Sequence, residues 1–293
     1  MMETQWPLII FTLFVSLGAG TFGAAGVLAG LKKGASIQMT SVIIAVVSMV
    51  IGGIASFMHL QHWDRAFNGF GNLTSGITQE LIAIAVFIVF AIVYLILSRR
   101  GDLPVWAGWV AAILSVAVVI VMANSYNMSS RPVWDTPLLW LYYLSNAILS
   151  GGLVTTALLG AKKEDAGISV KVSLAGGILS VVSLVGYLVY IPSVASKFTS
   201  VGNYFDPTHP TKAMTDPAAA LTGFASGDQA LLFWGGAVVV GALVPLVAAF
   251  LSNKKQGTSL IGLSLAGVLC ALVGAICFRA ILYALGFSVF VFY

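Results

Sequence analysis

Apolar residues run from Trp6 to Gly30 with no charged interruption, and the same pattern, a long apolar stretch closed by a brief polar break, recurs to the far end of the chain. Stretches such as VIIAVVSMVIGG at 42–53 and LIAIAVFIVFAIVYLIL at 81–97 contain no charged group at all. A bilayer core about 30 Å thick takes roughly 20 apolar residues wound as an α-helix, so each stretch predicts one crossing. Eight crossings are expected, at about 7–30, 38–60, 78–97, 104–124, 136–160, 168–191, 228–251 and 258–286. The one long break, 192–227, is rich in Pro, Asp, Thr and Ser; it is too long for a plain connector and predicts an ordered surface loop or a docking surface. The predicted fold class is an all-α membrane protein, a bundle of eight transmembrane helices, with residues 1–293 as a single integral membrane domain.

Composition agrees with the pattern. Hydrophobic residues make up 59% of the 293 residues and charged ones 8%, and the mean hydropathy is +1.00, far outside the range of a soluble domain. The first apolar run has Glu3 in front of it and no basic segment, so it is expected to be a retained helix and not a signal peptide.

Charge sets the orientation. Lys32, Lys33, Arg99, Arg100, Lys162, Lys163, Lys171, Lys254 and Lys255 fall in alternate loops on one side, whereas the other side holds only Arg65, Arg131, Lys197 and Lys212 among several acids. The positive-inside rule makes the first side cytoplasmic, which places both termini and the long loop on the outer, extracytoplasmic side. The net charge of +4 restates this loop bias, and with no basic patch interleaved with aromatics it gives no reason to expect nucleic acid. Cys270 and Cys277 are seven apart within one crossing, a spacing of plain thiols and not of a redox pair or metal knuckle.

An ionisable side chain within the bilayer costs at least about 2.5 kcal/mol on the lenient insertion scales, so three residues require a reason: His59 at the outer end of the second crossing, Glu80 at the start of the third, and Arg279 well inside the eighth. His59 reads either as an interfacial, water-satisfied ring or as a site residue; Glu80 either as an acid at a helix N-terminus or as the partner of Arg279. A second outer cluster, NSYNMSSRPVWDTP at 124–137, brings Tyr126, Asn127, Arg131 and Trp134 into one short loop. Its aromatics fit an interfacial belt, and Asp135 or Thr136 followed by Pro137 fits the start of a helix.

The ordered series WPLIIFT near the start, HLQHWDRAFNGFGNLTSGITQE, YNMSSRPVWDTP and RAILYALG resembles the membrane-anchor subunits of anaerobic dimethyl sulfoxide reductases, within the broader group of polysulfide-reductase-type quinol-binding anchors. The resemblance runs over nearly the whole chain. It implies an eight-helix protein of the bacterial cytoplasmic (inner) membrane that oxidises menaquinol to menaquinone. The electrons pass to an iron-sulfur subunit, which feeds a molybdopterin catalytic subunit. It implies that His59 is linked to menaquinol binding and that Glu80 belongs to the same site, with Arg65 and Asn68 as parts of the same motif.

Location by residue type and location by resemblance coincide at the outer face. Quinol oxidation releases two electrons and two protons. His59, with an unperturbed pKa near 6.5, suits the first proton, Glu80 its exit, Arg65 and Arg279 the neighbouring negative charge, and Tyr126, Asn127, Arg131 and Trp134 the headgroup. A transmembrane haem needs histidines on facing helices; all three histidines lie at or beyond the outer boundary, so no haem or metal is expected in this chain. The iron-sulfur partner is expected on the outer face. Two other readings remain at this point: a transporter, for which Arg279 is the one supporting feature, and a purely structural anchor embedded in membrane lipid.

Overall fold

The computed structural model describes residues 5–58, 68, 70–101, 103–198 and 216–289. All regular structure among the described residues is helical, and eight helices are long and apolar enough to cross a membrane. They are α1 (Trp6–Gly30), α2 (Gln38–Met58), α3 (Gly76–Arg99), α4 (Val105–Ser125), α5 (Pro137–Lys162), α6 (Gly167–Ser193), α8 (Leu231–Ser252) and α9 (Gly257–Ala284), with a short α7 (Pro217–Thr222) between the sixth and seventh crossings. The first 13 residues of α8, Leu231–Leu243, are wound as a π-helix. The α-helical remainder takes over just before Pro245, whose missing N–H cannot continue the wider ladder.

Helix α1 is the central pole, packed against α2, α4, α5 and α9, while α6 lies on α5, α8 on α9 and α3 on α4. Over the most apolar window, 67% of α1 is buried but only 17% of α3, which makes α3 a lipid-facing outer helix. The glycines of α1 explain how it serves several neighbours: Gly18 faces α2, Gly20 faces α5, and Gly26 and Gly30 face α4. At the Gly20–Gly151 crossing the two backbones touch, and a Cβ on either residue would overlap the other helix. Lipid tails are as apolar as the side chains, so association rests on close van der Waals approach of this kind and not on hydrophobic burial. Gly241 on α8 and Gly274 on α9 repeat the device.

Successive crossings run in opposite directions along the bundle, joined by short connections except for the segments between α2 and α3 and between α6 and α8. One end of the bundle therefore gathers the starts of α1, α3, α5 and α8 with the ends of α2, α4, α6 and α9, and it is rich in tyrosine. The other end carries the lysine pairs, with Lys33 bonded to Asp165 at 3.4 Å across two loops. At the tyrosine-rich end Thr136 caps α5 by accepting a bond from the Leu138 N–H at 3.3 Å, with Pro137 in the first turn. Parts of the long break are ordered onto the bundle: the turn Val194–Phe198 buries Phe198 against Phe287, and Asp216 caps α7 through the Ala219 N–H.

Candidate functional site

Arg279 projects from the last turns of α9 into the middle of the protein and is completely buried. Its guanidinium meets no acid among the described residues. Nε donates to the Thr12 hydroxyl at 2.9 Å, Nη2 to the Ser16 hydroxyl at 3.2 Å and the Thr12 carbonyl at 3.4 Å, and Nη1 to the Tyr142 hydroxyl at 3.2 Å, Asn146 Oδ1 at 3.3 Å and the Ala275 carbonyl at 3.2 Å. The faces of Tyr143 and Tyr142 sit 4.9 Å and 5.4 Å from its Cζ, in cation–π range. With a rise of 1.5 Å per residue, Thr12 and Asn146 lie about 9 and 14 Å below the starts of α1 and α5, so the cation sits roughly a third of the way into the bilayer.

The expected Glu80–Arg279 ion pair does not form. The only salt bridge among the described residues is Lys33–Asp165 at the opposite end. Uncharged acceptors on α1 and α5 occupy the donors of Arg279, at the same depth as the guanidinium.

Glu80 enters the same region from the other side. Gly76 at the start of α3 packs against Ser125 at the end of α4, where an added Cβ would lie 2.9 Å from that of Ser125. One turn later, Glu80 is buried beside Ser125, with 7% of its surface exposed. The Ser125 hydroxyl lies within hydrogen-bonding reach of both the Glu80 carboxyl and the Met122 carbonyl, the latter at 2.8 Å, and Glu80 Oε1 itself has no hydrogen-bond partner among the described residues. The hydroxyls of Tyr143 and Tyr283 lie within electrostatic reach of both Glu80 and Arg279.

The 126–136 loop closes this region. Trp134 is buried and donates Nε1–H to the Leu282 carbonyl at 2.8 Å. Arg131 donates to the Gly286 carbonyl and stacks at 4.9 Å on the Trp134 ring. Tyr190 of α6 donates to the Pro132 and Asp135 carbonyls from beneath. Trp134 stands edge-on to Tyr283 at 5.3 Å, and Tyr126 lies 6.3 Å from Trp134 and 6.4 Å from Tyr143. Burial, reinforced by Tyr283 and Glu80 nearby, holds the Tyr126 hydroxyl well above its ordinary pKa, so it remains a neutral donor. The Tyr283 hydroxyl faces the Tyr126 hydroxyl as its acceptor. Between these rings and Arg279 lies a cavity of about 10 Å³, room for about one water.

Thus Glu80, Tyr126, Arg131, Trp134 and Arg279 converge as a group. Asn127 is half-buried on the same loop, its N–H closing a turn onto the Asn124 carbonyl at 3.1 Å. Asn68 is exposed and stands outside this group; His59 and Arg65 lie outside the described residues. Sequence reasoning missed Thr12, Ser16, Tyr142, Tyr143 and Asn146. Their signal was present as polar groups spaced by three or four residues in α1 and α5, at the depth of Arg279.

The fold and this region define an integral membrane subunit with a buried polar centre near one membrane face, where, among the described residues, a cation held by uncharged groups and a carboxyl oxygen without a hydrogen-bond partner stand beside aromatic rings. The chain belongs to the DMSO reductase anchor subunit (DmsC) family, whose model matches residues 2–285. It is similar to the C subunit of the anaerobic dimethyl sulfoxide reductase of Haemophilus influenzae, 35% identical over 120 residues that cover 39% of this chain and 43% of the relative. It is also similar to the anaerobic dimethyl sulfoxide reductase subunit YnfH of Escherichia coli, 27% identical over 167 residues covering 54% of this chain and 59% of the relative. The matched stretches thus span about half the length of these relatives.

Proposed function

We propose that this chain is the membrane anchor of a respiratory oxidoreductase of the dimethyl sulfoxide reductase type and that it oxidises menaquinol at the tyrosine-rich end of the bundle. That end faces the extracytoplasmic side of the bacterial inner membrane. An iron-sulfur subunit docks over it and passes electrons to a molybdopterin catalytic subunit. The observation that carries the reading is the pairing of a buried Arg279, which meets no acid among the described residues, with Glu80 Oε1, which has no hydrogen-bond partner among them, both residues reaching Tyr143 and Tyr283.

These residue types fit a quinol headgroup: an open acceptor, a fixed positive charge and aromatic planes. The cavity among them is far below the few hundred Å³ of a small-molecule pocket, so a headgroup enters only as the aromatic wall around Tyr126 opens. When bound, the quinol supplies two electrons and two protons. Glu80 accepts a proton at Oε1 and hands it toward the outer end of α3. Arg279 holds its charge fixed in a low-dielectric setting and favours any negative charge that develops beside the cavity. Tyr126, Tyr143 and Trp134 confine the ring, and Arg131 fixes Trp134. His59, which follows Met58 in the sequence, serves as the first proton acceptor, and Arg65, Asn68 and Asn127 contribute to quinol binding.

The experiment is menaquinol-driven electron transfer in membranes carrying the whole complex, comparing wild type, Glu80→Gln and His59→Ala with partner retention monitored. Removing a general base costs about 10²–10⁴-fold, so a loss of at least about a hundredfold with assembly intact is expected for Glu80→Gln. An unchanged rate in both variants would leave the chain as a structural anchor without its own quinol site.

A further inference from the structure

The lysine-rich end, which plays no part in the chemistry above, contains a cleft of about 600 Å³ between the α1–α2 and α3–α4 connections. Lys32, Lys33, Gln38 and Met39 line it from the α1–α2 side and Ser98 from the end of α3. Three independent features make it an acceptor of negative charge. First, Lys32 sits at the C-terminal turn of α1 with φ 55°, in the left-handed region that normally takes glycine, so this position carries a cation where a glycine would be less strained. Second, α4 begins at Val105 without any side-chain cap, and Pro104 and Val105 line the cleft; the free N–H groups of a long helix's first turn are donors for an anion. Third, the Ser98 hydroxyl is buried and has no hydrogen-bond partner among the described residues. Gln38 in the lining is fixed: Tyr94 donates to its Oε1 at 2.7 Å and its Nε2 donates to the Gly34 carbonyl at 3.0 Å.

The surroundings specify the anion. Arg99 and Arg100 are exposed at the adjoining end of α3, so the cations around the cleft outnumber the acids of these loops: Asp165, already bonded to Lys33, its neighbour Glu164, and Asp102, which lies outside the described residues. Below the cleft the flanks of α2 and α3 are apolar and exposed, with Met39 at 45% and Ile43 at 44% on α2 and Ile92 at 50% and Ile96 at 48% on α3. A charged mouth at the membrane boundary continuing into an apolar flank matches an amphiphile with a phosphate head and acyl tails. We propose that this cleft binds the headgroup phosphate of an anionic phospholipid, with Lys32, the Ser98 hydroxyl and the first N–H groups of α4 as its donors and the tails laid along α2 and α3.

The test uses the intact chain, with its partner subunits where they co-purify, in nanodiscs of phosphatidylcholine with and without phosphatidylglycerol. Thermal unfolding is followed in each, for wild type and Lys32→Gly. Glycine suits the left-handed backbone, so the variant folds, and comparing the lipid-induced increment within each protein separates the lost cation from the changed backbone strain. Phosphatidylglycerol is expected to raise the wild-type midpoint, and Lys32→Gly to lose more than half of that increment; phosphatidylglycerol retained after detergent extraction should fall in parallel. An equal increment in both proteins overturns the site. Inorganic phosphate added to pure phosphatidylcholine discs and reproducing the whole increment overturns the lipid assignment in favour of a free-phosphate site.

Discussion

Arg279→Met separates what the buried arginine does for the fold from what it does for the site. Methionine fills a comparable unbranched volume but makes none of the six hydrogen bonds of the guanidinium. Most of the orphaned partners have other bonds: Thr12 donates to Leu8 and Ile9 carbonyls, Ser16 to the Thr12 carbonyl, and Tyr142 to the Ala275 carbonyl. Asn146 Oδ1 is the acceptor that loses its donor, worth about 1–3 kcal/mol for an unsatisfied buried group. Against this, the variant no longer has to bury an uncompensated cation, a cost that hydrophobic replacement often recovers. The net destabilisation is therefore expected to stay at or below about 2 kcal/mol, and the chain should still assemble.

The electrostatic consequence is larger. Across a one-water cavity, two hydrogen-bond lengths place a developing negative charge about 6 Å from the guanidinium. At an effective dielectric near 20 their attraction is about 3 kcal/mol, roughly a hundredfold in rate. Steady-state menaquinol oxidation by the assembled complex is the assay, with thermal unfolding of the same preparation as control. Arg279→Lys keeps the charge and loses the fork, so it should retain more activity than Arg279→Met. Wild-type turnover in a folded, assembled Arg279→Met complex would refute the electrostatic role; collapse of folding alongside activity would make the residue structural.

Three further outcomes test the surrounding fold. Trp134→Phe removes the bond to the Leu282 carbonyl and should lower stability by about 1 kcal/mol, read as a reduced unfolding midpoint, with no change expected if the loop is held by Arg131 and Tyr190 alone. Gly151→Val drives a side chain into the backbone of α1 at Gly20; overpacking of a fixed contact costs about 1–3 kcal/mol or more, and the yield of folded protein in membranes should drop sharply. Asp165, outside the crossings, has its carboxyl pKa lowered chiefly by the Gly167 N–H and further by Lys33. Its folded value lies below its unfolded one, so its small stabilisation is present above the ordinary Asp range near 3.9 and is lost as pH falls through the lower folded value. The stability difference between wild type and Asp165→Asn should accordingly be measurable at pH 7 and fade in acid.

Several elements were legible in the residues alone. The apolar stretches announce eight crossings, and the Thr136–Pro137 start of α5 follows from capping chemistry that is local to a few residues. The small residues of α1 announce close packing, although which glycine meets which helix does not follow from their spacing. The site was half legible. Glu80, Tyr126, Arg131, Trp134 and Arg279 stand out because charge and amides are rare in these stretches. Tyr142, Tyr143 and Asn146 do not, since a tyrosine or asparagine within an apolar run reads as a belt or packing residue until its depth and direction are known.

The division has a physical origin. Whether a segment crosses a bilayer depends on summed transfer free energies of its own residues, so sequence by itself determined the number of crossings, their order and the uneven distribution of lysine and arginine. Which face of each helix turns inward carries no comparable signature, because lipid and protein interior are alike in polarity. Only the tertiary structure decided that α1 is the central pole, that Gly20 meets Gly151, and that Arg279 is held by uncharged groups of α1 and α5 while Glu80, in the same region, makes no ion pair with it and keeps an oxygen without a hydrogen-bond partner among the described residues.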